Sequence, residues 1–390
     1  MSLFSDRPFR ATAAGHFAVD LINGQRALIL ATLSGPLGLS NVLIGILSTA
    51  YTLLGSTLQP VFGLLADRIG ARWVATLGIL WMALAFGVAV LIPGRVALVL
   101  LVLTAIGSAA FHPAGTAEAT DRARRHLPSR VAFAASLFFL FGQMGLAVGP
   151  ALGGVIVELR GVPGLVLLPF LVVPVGIYAG LRIPSGGRHS ASVSEALSSV
   201  GDWRGFAPFA IVIALRSWAM MTMIAFIPKF YNDLGFGPAV FGIYAALYMG
   251  GSALGGVGGG WLADRMDKRP LVSRTLILAG IPLLLIAPLG ASAWGTLLVL
   301  LAGGLIGISH SPIVVHAQGR MPTYVGAASG AVLGFTFASG SIGILASGFL
   351  ADQFGFDVVF AVAAAMVTLG GLLASTARSW LAAPTVAETI

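Results

Sequence analysis

The sequence contains no cysteine, so disulfides, thiolate metal sites and cysteine nucleophiles are excluded. It is also poor in charge. Only 9% of its 390 residues are Asp, Glu, Lys or Arg, against about 25% in a soluble domain. That is too few to cover a water-facing surface. There is no H-E-x-x-H string, no Ser/His/Asp set and no G-x-x-x-x-G-K-[S/T] loop. An enzyme therefore has no motif to stand on, and ATP is not the direct energy source. Soluble enzyme, disordered chain and nucleic-acid binder all fit poorly.

Apolar residues are what the chain has in quantity. They make up 57% of it, and the mean hydropathy is +0.95. Glycine, at 52 residues, is nearly double its usual share of about 7%. Close helix packing in lipid is the expected use of that excess. A membrane-spanning helix needs about 20 mainly apolar residues. Runs of that length fall at 12–33, 40–62, 73–92, 96–117, 131–157 and 164–182, then at 206–230, 239–262, 271–290, 294–318, 327–350 and 358–378. These are spans 1 to 12. The expected architecture is an all-α polytopic membrane protein. A polar stretch, 183–205, separates six spans from six, so the domains expected are 1–182, a cytoplasmic linker 183–205, and 206–390.

Span 1 is not a cleavable leader, because it carries His16, Asp20, Asn23 and Arg26 and is too long. Basic residues set the orientation. The termini, linker and even-numbered connections hold 17 Lys and Arg, and the opposite side holds 3. Both termini are therefore expected on the cytoplasmic side. The net charge of +8 is then mostly topology and not a sign of a polyanionic partner.

The chain repeats itself. Gly63-Leu-Leu-Ala-Asp67-Arg68-Ile-Gly70-Ala-Arg72 returns, 197 residues later, as Gly260-Trp-Leu-Ala-Asp264-Arg265-Met-Asp267-Lys268-Arg269. Fainter copies are Gly154…Glu158…Gly161 and Gly348…Asp352…Gly355. The four copies close spans 2, 5, 8 and 11 on alternating sides of the membrane. Nested three-plus-three inverted repeats leave that pattern.

The Gly63–Arg72 string resembles the signature loop of the major facilitator superfamily, and the resemblance extends over essentially the whole chain. It implies two pseudo-symmetric six-helix bundles, with Gly63, Asp67, Arg68, Gly70, Arg72, Gly260, Asp264 and Arg265 in a conformational role. The second copy departs at Asp267, where the pattern has glycine. In span 5, Gly145-x-x-x-Gly149-Pro150-x-x-Gly153-Gly154 resembles the motif of drug/proton antiporters in that superfamily. His16-x-x-x-Asp20, Leu58-Gln59-Pro60-Val61-x-Gly63, Phe111-His112-Pro113 and Val315-His-Ala317-Gln318-x-x-x-Pro322 together resemble its fosmidomycin-resistance branch. This resemblance implies proton-coupled export of a small organic compound from a bacterial-type inner membrane, by a monomer with no cofactor beyond the proton gradient. A metabolite symporter or uniporter remains an alternative, as does a membrane sensor of transporter ancestry.

A charge at mid-bilayer costs roughly 2.5–3.5 kcal/mol on insertion scales, so the few kept there are functional candidates. Asp20 lies mid-span with Thr12, His16 and Asn23 on the same helical face. It is expected to take and release a proton beside His16, unless the stripe only packs against other helices. Arg216 is central in span 7, which the repeat pairs with span 1. It is expected to meet a carboxylate, with Asp20 the natural partner, or an anionic substrate. Arg26, off the Asp20 face, is either a gate residue or snorkels outward. His112 and His310 hold matching places in spans 4 and 10. Gln59, Gln143, Tyr244, Tyr248 and Phe335 complete the candidate cavity lining. No two of the histidines at 112, 310 and 316 share a helix with a carboxylate at ligand spacing, so no metal site is expected.

Overall fold

A computed structural model of the chain describes residues 3–127, 131–186, 203–320 and 325–376, and these are helical, with no strand among them. Ten helical stretches are long and apolar enough to cross a membrane. Two further spans emerge from how helices break. Span 1 consists of two pieces, Arg7–Asn23 and Gln25–Leu37, which meet at Gly24. Spans 11 and 12 share the stretch Val325–Thr376, interrupted at Gly355 with φ 80°. The others are Asn41–Ile69, Ala71–Leu91, Val96–His126, Val131–Arg160, Leu167–Arg182, Trp203–Asp233, Pro238–Ala263, Lys268–Leu289, and span 10 as Gly295–Ile308 followed by His310–Arg320. The twelve-span all-α architecture stands. Most of the expected linker, residues 187–202, lies outside the described residues, as does Pro322.

Local signals explain the boundaries. The Asp6 carboxylate accepts from Phe9 N at 2.8 Å and so caps span 1, satisfying one of a helix's orphan donors. Gly38, at φ 57°, closes the same span, and Ser40 caps the next by accepting from Leu43 N. Gly70 turns span 2 into span 3 at φ 94°, a conformation that L side chains rarely adopt. Its counterpart Asp267 needs no such freedom. It is extended at φ −61° and caps span 9 by accepting from Arg269 N. The departure from the repeated motif is therefore a change of turn chemistry.

The chain clusters into two compact units, Met1–Ser190 with Ala225–Met249, and Ala191–Ile224 with Gly250–Ile390. The end of span 7 and the first half of span 8 thus group with the first six spans. In the first unit, glycines let backbones touch. A Cβ on Gly78 in span 3 would lie 2.8 Å from the Gly107 carbonyl in span 4. At the C-terminal end of span 5, Glu158 accepts from Ala239 N at 2.8 Å. This carboxylate meets the first turn of span 8, where the helix dipole favours negative charge. At the far end of span 4, Arg122 bonds Glu118 at 2.7 Å and approaches Asp6 at 3.7 Å, while His126 meets Asp6 at 3.0 Å. Arg122 is thus part of an internal network as well as of the basic run. In the second unit, Gly251, Gly255 and Gly259 of span 8 press on the Leu300, Gly304 and Ile308 carbonyls of span 10.

Candidate functional site

Span 1 carries its polar face inward. Thr12, His16 and Asp20 are buried and Asn23 is half-buried. His16 Nε2 lies 3.3 Å from Asp20 Oδ2. Span 4 delivers His112, whose Nε2 lies 3.6 Å from Asp20 Oδ1. The opposite ring nitrogens are committed elsewhere: His16 Nδ1 sits 2.9 Å from the Phe138 carbonyl, and His112 Nδ1 sits 2.8 Å from the Ser108 carbonyl. A carbonyl oxygen only accepts, so each Nδ1 carries the hydrogen. In neutral rings both Nε2 atoms then present lone pairs to a carboxylate. Three acceptors converge, and the arrangement is repulsive until a cation joins them.

The cluster extends through hydrogen bonds. Asn23 Nδ2 donates to Asp20 Oδ1 at 2.6 Å and to Ser108 Oγ at 3.1 Å. Tyr51 OH donates to Asn23 Oδ1. Over the Tyr51 ring, 4.3 Å from its centroid, lies the Arg26 guanidinium. Arg26 is only 8% exposed, so it stacks within the bundle and does not snorkel. Span 5 closes one side. A Cβ on Gly142 would collide with His16 Nε2 and lie 2.6 Å from Asp20 Oδ2. Gly145, Gly149 and Gly153 continue this face against Phe17, Leu21 and Gln25, while Pro150 lies against Gly24. The glycines of the antiporter-like string are thus what brings span 5 onto the helix that bears Asp20.

The second unit holds a different arrangement. Arg216, 2% exposed, donates from Nε to Ser309 Oγ at 2.6 Å and from Nη2 to the Ile306 carbonyl at 3.3 Å. Ser309 marks the interruption of span 10 and itself donates to Ile306 O at 2.6 Å. His310, directly after Ser309, lies within electrostatic reach of Arg216, and the other sequence candidates are dispersed. Gln59 and His310 are half-buried and Tyr248 is buried. The Gln143 side-chain oxygen is buried with no hydrogen-bond partner. Tyr244 stacks on Tyr231 at 3.6 Å, and Phe335 is exposed. In the motif copies, Gly63 faces Pro113, Gly260 faces Ser311, and Arg265 stacks over Trp261. Arg72 lies over Trp73, and Asp67 is half-buried while Arg68 and Asp264 are exposed.

Tyr51, Ser108 and Gly142 were not singled out in the sequence. Each is an ordinary small or aromatic residue in an apolar run and acquires its place only through contact. Spacing along span 1 sets only His16 beside Asp20, whereas the fold adds His112 from a second helix.

The model of the Major Facilitator Superfamily matches residues 13–343 and 209–387. The fosmidomycin resistance protein of Escherichia coli strain K12 is 27% identical over 374 residues, 93% of this chain and 90% of the relative. The multidrug efflux pump Tap of Mycolicibacterium fortuitum is 26% identical, over 79% of this chain and 77% of that one. Among solved structures, a bacterial homologue of the human lysosomal transporter Spinster, inward-facing and unoccupied, aligns with a TM-score of 0.77 at 16% identity, covering 96% of this chain and 98% of that chain. A mutant of the nucleoside transporter NupG aligns equally well, at 15% identity, over 96% of this chain and 100% of its own. Twelve spans, a duplicated loop motif and a match along the chain agree: this protein is a membrane transporter, not an enzyme, and belongs to the Major Facilitator Superfamily.

Proposed function

We propose that this transporter is a secondary active exporter, moving a small organic compound out of the cytoplasm in exchange for entering protons by alternating access of its two halves. The observation that carries the proposal is the buried His16–Asp20–His112 cluster, which is electrostatically complete only with a cation among its three acceptors. A site of this kind couples if the cation is loaded from one side and released to the other. Arg216, one repeat away from Asp20, supplies the opposite fixed charge and serves the substrate. Asn23, bonded directly to Asp20, and Arg26, stacked on the Tyr51 ring that bonds Asn23, extend the same network. The relatives named for fosmidomycin resistance and multidrug efflux support the outward direction. The distribution of Lys and Arg supports an inner-membrane protein with both termini in the cytoplasm.

Flux in proteoliposomes tests the proposal, with fosmidomycin as the first compound. An imposed inward proton gradient should expel the compound from the vesicles, and Asp20→Asn should reduce the gradient-driven component to the level of empty vesicles. Accumulation under the same gradient would mean symport and overturn the exporter assignment. An unchanged rate in Asp20→Asn would remove the cluster from coupling.

A further inference from the structure

We infer that His16, Asp20 and His112 form a binding site for one first-row transition-metal dication, of the imidazole-preferring class to which Zn2+ belongs. The ligand atoms all lie within 4.8 Å of one another, and no other group of three histidine or carboxylate ligands does so among the described residues. The spacing suits such an ion. Metal–ligand bonds of about 2.0–2.1 Å in tetrahedral geometry place neighbouring ligand atoms roughly 3.4 Å apart. The two separations, 3.3 and 3.6 Å, lie on either side of that value.

The surroundings are those of a metal site. Imidazole ligands are oriented by a hydrogen bond from the second ring nitrogen to a carbonyl or carboxylate, which also raises their basicity. Both rings have this bond, at 2.9 Å to Phe138 O and 2.8 Å to Ser108 O. The Asn23 amide fixes the carboxylate from Oδ1. Gly142 keeps the flank beside His16 Nε2 and Asp20 Oδ2 free of a side chain. Two neutral imidazoles and one carboxylate suit Zn2+, Ni2+, Co2+ or Cu2+. They suit Ca2+ and Mg2+ poorly, since those ions require six or more oxygens. A fourth coordination position is left for water or a donor atom of a transported compound.

The site coincides with the cluster assigned to the coupling cation, but its occupancy rests on ligand geometry alone. Binding is therefore measured without flux, and its failure leaves the exporter proposal standing. Purified full-length protein is titrated with Zn2+ by calorimetry, and with Co2+ by visible absorption. The expected result is one ion per chain, with affinity at least about tenfold weaker in His16→Gln and in His112→Gln. His126→Gln, at the far end of span 4, should bind as the parent does. Bound Co2+ should give the strong visible bands of four- or five-coordination, and His112→Gln should lose them. His112 is the less buried ring, so its variant keeps the test open if His16→Gln fails to fold. Absence of saturable binding, or binding unaffected by both substitutions, would overturn the inference.

Discussion

Spans 1 and 7 occupy equivalent places in the two repeats, and near their middles span 1 buries Asp20 and Arg26 while span 7 buries Arg216. Asp20 is met by two imidazole nitrogens, at 3.3 and 3.6 Å, whose opposite ring nitrogens lie on backbone carbonyls. The Asn23 amide donates to it at 2.6 Å. Arg216 meets a hydroxyl at 2.6 Å and the carbonyl beside it, both able to accept from a guanidinium. The matching histidines differ in the same way. His112 reaches the carboxylate of its unit, whereas His310 stands next to Ser309 in the unit of Arg216. Duplication preserved the frame of the two halves, and substitution gave them opposite electrostatic characters. Asp20 is set among two imidazoles and an amide; Arg216 is set among acceptors.

The sharpest way to break this comparison is to treat the two histidines alike. His112→Gln removes one of the acceptors proposed to hold the coupling cation, an interaction with a charge worth about 1.5–3 kcal/mol, so coupled flux should fall by roughly ten- to a hundredfold. His310→Gln should produce a smaller loss in the same proteoliposome assay, and equal losses would erase the distinction. Next in size is Gly142→Ala, whose methyl would overlap His16 Nε2 and Asp20 Oδ2. Overpacking of this kind costs about 1–3 kcal/mol, visible as a lowered melting temperature in detergent together with lost coupling. Gly334→Ala, where a Cβ meets nothing within 4 Å, should melt no earlier than the parent. Ser309→Ala should cost about 1 kcal/mol and leave gradient-driven flux in place, because Arg216 keeps the Ile306 carbonyl. The smallest effect is expected for Glu158→Gln, where a neutral amide replaces the carboxylate at the start of span 8. A loss of about 0.3–1 kcal/mol, read by thermal unfolding, should shrink further as salt is added.

Much of this was legible beforehand. Twelve apolar runs, the repeated loop and the buried face of Thr12, His16 and Asp20 follow from periodicities of one chain segment at a time. Arg26 was misleading for the same reason. Its position along the helix left snorkelling open, and only the Tyr51 ring, brought by span 2, shows where the guanidinium goes. The glycines of span 5 could be grouped onto a face, yet which helix that face meets is not a local property.

By itself, the sequence determined the medium, the number of spans, the duplication and the two charges worth attention. Each of these depends on the cost of placing a group in hydrocarbon, which a residue incurs through its own chemistry. Tertiary structure decided what surrounds those charges. His112 lies in span 4 and Asp20 in span 1, and no spacing rule joins them. They meet because spans 1 and 4 pack together, with Gly15 against the Phe111 ring beside His112, and that contact sets two imidazoles against a buried carboxylate.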